Sequence, residues 1–112
     1  MKKEPIYYSD YLQLDKLINS QEPKSNEHDE MLFIIIHQVY ELWFKQILYE
    51  FNSIIEIFKK EYIDEKLLSK VVSRLGRVIE IQKIMLEQFK VIETMTPADF
   101  LEFRDYLYPA SG

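Results

Sequence analysis

The sequence has no cysteine, and only two glycines and four prolines among its 112 residues. Without cysteine it forms neither a disulfide-bonded scaffold nor a thiolate metal site. Its longest uninterrupted apolar run, residues 31–36, has six residues, whereas a membrane-spanning helix needs about 20. The 14 Lys and Arg residues are outnumbered by 19 Asp and Glu, which disfavours binding to the phosphates of nucleic acids. The sequence therefore predicts a protein that binds neither nucleic acid nor a membrane.

Apolar residues, by contrast, are abundant. They make up 47% of the chain and aromatic residues 14%, so that burial can offset the entropy lost on folding. The basic first residues are followed by no apolar segment typical of a secretory signal. We therefore expect an ordered, cytoplasmic protein.

The spacing of apolar residues predicts helices nearly throughout the chain. We expect a first helix over 9–20, a second from residue 25 or 26 to 62, and a third over 64–95 with Gly76 at a bend or a close helix contact. A fourth, short helix begins cleanly, with Thr96 as N-cap and Pro97 at the first helical position, and ends before Pro109. The predicted fold is all-α, with long antiparallel helices plus short N- and C-terminal helices. Its parts are an N-terminal arm and loop (1–24), a long helical hairpin (25–95) and a short helix with a following segment (96–112).

The two long helices are too long for a compact domain of this size. Each would measure about 50 Å, whereas a globule of this length has a radius of gyration near 13 Å. Such a hairpin leaves apolar surface uncovered. We therefore expect an oligomer or a part of a larger protein.

His37 is the most interesting candidate for chemistry, because it is an ionisable residue in the middle of an apolar helix face, one turn from Phe33 and Tyr40. Spacing alone favours a buried core histidine, hydrogen-bonded to Glu41, over a catalytic one. His28 lies beside acidic residues at the helix start, where a solvated role is favoured. Neither histidine has the Glu-x-x-His spacing of a di-iron site, so no metal site is predicted.

Arg104 is the second candidate, one turn after Phe100. A guanidinium beside an aromatic wall suits an aromatic carboxylate, which it grips through two parallel hydrogen bonds. From spacing alone, an ion pair with Glu93, Glu102 or another acidic residue is an equally good interpretation. The N-terminal aromatic residues leave two interpretations open in the same way, a packing arm or part of a pocket.

Six segments of the sequence together resemble the tryptophan 2,3-dioxygenase family. They are 8–15 (YSDYLQLD), 28–38 (HDEMLFIIIHQ), 41–43 (ELW), 93–97 (ETMTP), 103–107 (FRDYL) and 109–112 (PASG). The resemblance implies a larger, all-α haem-dioxygenase fold and a homotetramer. It also implies an enzyme that uses O₂ to oxidise L-tryptophan to N-formyl-L-kynurenine, which opens the kynurenine pathway.

The resemblance assigns roles to individual residues. His37 resembles the catalytic distal-side histidine that hydrogen-bonds the indole N–H and is not the iron ligand. Phe33 resembles the residue that walls the indole, and Arg104 the arginine that binds the substrate carboxylate. Phe100 occupies a pocket position where some relatives carry Tyr.

Residues near both ends of the chain also match the family. Tyr8, Tyr11 and Leu12 resemble an arm that reaches the substrate pocket of a neighbouring subunit. Ser111 and Gly112 resemble the start of a backbone segment beside the haem.

The chain departs from the family in length, since the family's proximal haem-ligating histidine lies farther along. We expect haem b to receive this ligand from outside the chain, and the 112-residue chain alone to be inactive. The alternative from composition is a non-enzymatic helical self-association module.

Overall fold

The computed structural model describes residues 3–110, whose regular structure is entirely helical. This confirms the all-α prediction. In chain order the helices are α1 (Tyr8–Tyr11), α2 (Leu14–Ile18), α3 (Glu30–Phe58), α4 (Glu65–Glu87), α5 (Phe89–Ile92) and α6 (Pro97–Arg104), followed by a 3₁₀ turn (Asp105–Leu107). The division of the chain at residues 24 and 95 stays a prediction.

The long helices α3 and α4 form an antiparallel hairpin with two apolar clusters along their contact. Near the middle of α3, Ile47 packs with Val78 and Ile81 of α4. Nearer the connection between the helices, Ile54 and Ile57 pack with Val71. The buried residues in the contact fall on one stripe of each helix, at intervals of three, four or seven residues from Ile47 to Ile57 and from Val71 to Ile81, because one stripe of each helix faces the other.

Four predictions about the helices were wrong. The helix predicted over 9–20 is broken at Gln13, whose φ of 52° is left-handed. Neither α1 nor α2 has a buried residue, so no packing interaction keeps them continuous. The second helix begins only at Glu30, and the third is interrupted at Gln88. Gly76 marks no close helix contact, because nothing lies within 4 Å of a Cβ built there, and α4 continues through it.

A buried carboxylate joins the two helices of the hairpin. Glu50 of α3 is only 3% exposed, and Arg77 Nη1 of α4 donates a hydrogen bond to its Oε2 at 2.9 Å. Gln46 Nε2 donates to the same oxygen at 2.8 Å. The hydrogen bond from Arg77, with a smaller contribution from Gln46, outweighs burial and lowers the pKa of Glu50 from its ordinary value of 4.5.

This lowered pKa predicts a stability that depends on pH. Because folding favours the ionised carboxylate, the contribution is present above the unfolded pKa and is lost as pH falls through the folded pKa. Urea denaturation of the Glu50→Gln variant should therefore show a smaller loss of unfolding free energy between neutral pH and pH below 4.5 than the wild type shows. The matched control is Glu56→Gln, because Glu56 pairs with Lys59 on the exposed surface. Equal pH dependence in all three proteins would contradict the assignment.

The molecule is far more open than a compact domain. Its radius of gyration is 19.4 Å and its extents are 56 × 36 × 24 Å, against about 13 Å for a compact chain of this length. It exposes 9572 Å², whereas the size scaling predicts about 6,500 Å². The surface left uncovered by the long hairpin is therefore large, as the helix lengths predict.

Much of this uncovered surface is apolar and lies on one side of the hairpin. Exposed apolar residues recur at helical spacing on both helices: Phe44, Leu48, Phe51, Ile55 and Phe58 on α3, and Leu68, Val72, Leu75, Ile79 and Leu86 on α4. On each helix, these exposed residues directly follow a buried or half-buried residue in the sequence, as Leu48 follows Ile47 and Val72 follows Val71. The exposed stripe is therefore turned by about 100° from the buried stripe of the same helix. In an antiparallel pair this places both stripes on the same side, which we call the apolar face. Within residues 3–110 no helix combines the length and apolar content needed to cross a membrane.

Candidate functional site

An aromatic cluster joins the beginning of α3 to α6. Phe33 stacks on Phe100 with ring centroids 5.6 Å apart and meets the edge of Phe103 at 5.7 Å. Phe33 and His37, one turn apart on α3, have ring centroids 4.3 Å apart. The structure thus brings together three residues that the sequence singled out separately, Phe33, His37 and Phe100.

The start of α6 is set by local hydrogen bonds, as its sequence predicts. Thr96 Oγ1 accepts a hydrogen bond from Asp99 N, and Asp99 Oδ2 accepts one from Thr96 N, both at 3.1 Å. These reciprocal bonds form a capping box with Pro97 in the first turn. The hydrogen bonds from Thr96 also lower the pKa of Asp99 below its ordinary value.

Phe103 is the residue of this cluster that sequence reasoning missed. It is the only apolar residue among those described with an exposure of 0%, and it packs edge-on against both Phe33 and Phe100. Its spacing of three residues from Phe100 was the available signal, because such a pair shares one side of a helix. Phe103 therefore holds α6 against α3.

Arg104 lies at the last position of α6, one residue after Phe103. Its side chain is exposed, and residues four apart, such as Phe100 and Arg104, are neighbours on a helix surface. Arg104 thus follows Phe100 by one helical turn on α6.

His37 is exposed, so its interpretation as a buried core histidine was wrong. The side of α3 that carries it turns towards the apolar face, where residues 3–110 provide no covering helix. Its Nδ1 lies 2.7 Å from the backbone oxygen of Phe33, rather than bonding Glu41. Because a carbonyl oxygen only accepts, this contact places the proton on Nδ1. In the neutral ring Nε2 is then a hydrogen-bond acceptor.

A groove of about 670 Å³ extends from His37 along the apolar face. Tyr40 and Phe44 of α3 form one wall, and Met85, Leu86 and Phe89 form the other. Phe33, Phe100 and Arg104 do not line this groove. The candidate site therefore consists of an aromatic cluster and an apolar groove that meet at His37.

The arm residues lie outside this site in their own chain. Tyr8 is 73% exposed, Tyr11 70% and Leu12 40%, so none of them packs into the cluster. Ser111 and Gly112 lie outside the described residues.

Glu30 is a second residue whose place sequence reasoning missed. Its carboxylate is 0% exposed and binds the preceding loop. Oε2 accepts from Lys24 N at 2.8 Å, and Oε1 accepts from Ser25 N and Ser25 Oγ at 2.7 Å. Burial raises the pKa of Glu30, but these hydrogen bonds outweigh it and lower the pKa below its ordinary value. The loop is thereby attached one turn before Phe33.

The fold and site together define a class of protein: an all-α protein in which an imidazole lies where an aromatic cluster meets an apolar groove. No group of three or more His, Cys, Asp or Glu residues suited to a metal ion occurs among residues 3–110. The family described as Tryptophan 2,3-dioxygenase matches residues 1–112, and the chain belongs to this family.

Individual relatives agree with this assignment. The chain is 56% identical over its whole length to a tryptophan 2,3-dioxygenase of Alteromonas mediterranea, of which it covers 33%. It is 53% identical over its whole length to that of Bdellovibrio bacteriovorus, again covering 33%. For the Xenopus tropicalis protein the identity is 54%, over 98% of the chain and 29% of the relative. The chain thus spans about a third of the length of the curated relatives it matches.

Proposed function

We propose that this chain forms the substrate side of a haem-dependent dioxygenase that converts L-tryptophan and O₂ to N-formyl-L-kynurenine. Family membership supports this reaction. The single observation that supports the site is the hydrogen bond between His37 Nδ1 and the Phe33 carbonyl. It leaves an acceptor nitrogen on a residue that borders both the aromatic cluster and a groove of about 670 Å³.

Each residue of the site has a distinct binding role in this proposal. Phe33 and Phe100 pack against the indole ring, and Nε2 of His37 accepts a hydrogen bond from the indole N–H. Arg104 binds the substrate carboxylate through paired, charge-assisted hydrogen bonds. Together these contacts fix the orientation of the ring, which is the contribution that a protein makes to cofactor chemistry.

The arm completes the site of another copy in this proposal. Tyr8, Tyr11 and Leu12 are exposed in their own chain, and such aromatic residues favour contact with a partner. We propose that they reach the substrate pocket of a neighbouring subunit within a homotetramer.

The described residues fit one flank of a haem group. The groove beside His37 offers aromatic and aliphatic side chains, which suit a flat apolar macrocycle. Haem b, when bound, supplies the iron that activates O₂. We propose that its proximal ligand comes from outside this chain, and that Ser111 and Gly112 approach its distal side. The apolar face would then be covered by the remainder of a family-length subunit.

The reaction is tested in an intact subunit that carries this chain. Purified with haem, it should consume O₂ and form N-formyl-L-kynurenine from L-tryptophan, and tryptophan should shift the haem absorption band. A protein that binds no haem and does not turn over tryptophan would instead be a helical self-association module.

The role of His37 is tested by removing its acceptor nitrogen. His37→Ala should lower kcat/KM for tryptophan about tenfold, which corresponds to the loss of one hydrogen bond. The loss should be much smaller for 1-methyltryptophan, which has no indole N–H to donate. His28→Ala, which removes the other exposed histidine, is the matched control. An equal loss with both substrates would exclude the proposed hydrogen bond.

A further inference from the structure

Polar side chains join the end of the arm to α3 at Gln38, the residue after His37. Gln21 Nε2 donates a hydrogen bond to Gln38 Oε1 at 2.8 Å. Gln38 Nε2 in turn donates to Ser20 Oγ at 3.1 Å. The Gln38 amide thus uses both its acceptor and its donor on two consecutive residues of the segment that follows α2.

The same segment is attached to α3 a second time, at Glu30. The Glu30 carboxylate binds Lys24 and Ser25 through the three hydrogen bonds described above. Residues 20–25, which we call the arm root, are therefore held at both ends. The two attachment points on α3 are eight residues apart, or about 12 Å along the helix axis.

Packing contributes little to holding the arm in place. No residue of α1 or α2 is buried, and Leu17 of α2 lines an open groove of about 430 Å³ together with Gln38 and Leu42 of α3. With so little apolar contact, the direction in which the arm extends from the hairpin depends on the hydrogen bonds of the arm root.

The two attachment points flank the residues of the candidate site. Phe33 lies between Glu30 and Gln38, and His37 directly precedes Gln38. One stretch of α3 therefore carries both the imidazole of its own site and the hydrogen bonds that orient the arm.

We propose that Gln38 is a positioning residue that sets the direction of the N-terminal arm by holding Ser20 and Gln21. Its effect on the reaction rests on the proposed function, in which the arm enters the site of a neighbouring subunit. Gln38 then acts on that neighbouring site through the arm, while His37 acts on the site of its own subunit.

The structural part of this proposal is tested without any measurement of activity. Since the chain has no cysteine, spin labels can be placed at Ser9→Cys in α1 and Asn52→Cys in α3. Pulsed electron spin resonance on labelled chain, diluted with unlabelled chain, should give one narrow distance distribution. Gln38→Ala should broaden it, and Gln38→Glu, which retains an acceptor for Gln21, should broaden it less.

Gln46→Ala is the matched control, because Gln46 is also on α3 but bonds Glu50 rather than the arm root. It should leave the distance distribution narrow. Circular dichroism verifies that each variant keeps its helices. A distribution that is already broad in the wild-type sequence, or that Gln38→Ala does not change, would overturn the proposal.

The functional part is tested by a double-mutant cycle in the intact subunit. Gln38→Ala should raise KM for tryptophan about three- to tenfold, from the loss of one or two hydrogen bonds, and change kcat less. In a Tyr11→Ala background the further effect of Gln38→Ala should nearly disappear, because the arm no longer provides its aromatic contact. Additive effects would overturn the proposed route through the arm. If the unsubstituted subunit does not turn over tryptophan, the proposed function fails, whereas the distance measurement still decides the role of Gln38.

Discussion

Replacing Phe103 with alanine is expected to lower the free energy of unfolding by about 3–5 kcal/mol, the range for truncating a buried phenylalanine. Phe103 is completely buried, and its ring contacts two other rings that join α3 to α6. Loss of this ring leaves a cavity between α3 and α6, at the contact that holds α6 in place. Urea denaturation followed by circular dichroism gives the change in free energy.

The same substitution should act first on α6. Hydrogen exchange is expected to show faster exchange across α6 than across the hairpin, because Ile47, Val78 and the rest of their cluster do not depend on Phe103. Leu101→Ala, on the same helix but 61% exposed, is the control and should cost well under 1 kcal/mol. Equal effects from the two substitutions would show that Phe103 does not hold α6.

Replacing Arg104 with alanine is expected to raise KM for tryptophan about 10- to 100-fold in the intact subunit. Hydrogen bonds to charged groups contribute about 1.5–3 kcal/mol, and a guanidinium makes two such bonds to a carboxylate. The carboxylate is bound equally in the ground state and in the transition state, because it takes no part in the reaction. Loss of this binding should therefore raise KM much more than it lowers kcat. Steady-state kinetics with tryptophan measure both quantities.

Two comparisons separate carboxylate binding from a general effect on the fold. Arg104→Lys retains the charge but not the planar pair of donors, so its KM should lie between those of wild type and Arg104→Ala. Tryptamine has the indole ring but no carboxylate, so Arg104→Ala should change its turnover little. A similar loss with tryptamine and with tryptophan would remove Arg104 from the proposed role.

The start of α6 shows what sequence reasoning predicts well. Thr96, Pro97 and Asp99 carry a capping signal within four residues, and the structure contains that capping box. Likewise, the helix expected from residue 64 has Asp64 as its N-cap, which accepts a hydrogen bond from Leu67 N at 2.8 Å. Such signals are readable because the groups that interact are close in the chain.

Glu30 and the arm show where this reasoning reaches its limit. The hydrogen bonds that the Glu30 carboxylate accepts from Lys24 and Ser25 depend on the bend of the chain at residues 24–26. The arm's apolar spacing indicated one helix, whereas the chain turns at Gln13. A periodic pattern gives a helix its register, but packing decides whether the helix continues.

The sequence by itself determined the all-α class, the capped start at Thr96, and a resemblance specific enough to name the family, because each depends on local order along the chain. Only the tertiary structure decided that His37 is exposed beside the apolar face, that Phe103 joins α6 to α3, and that Gln38 holds the end of the arm. These features depend on which distant segments approach one another and which helix faces are left uncovered. Since many sequences with the same periodicity can pack differently, periodicity alone does not specify them.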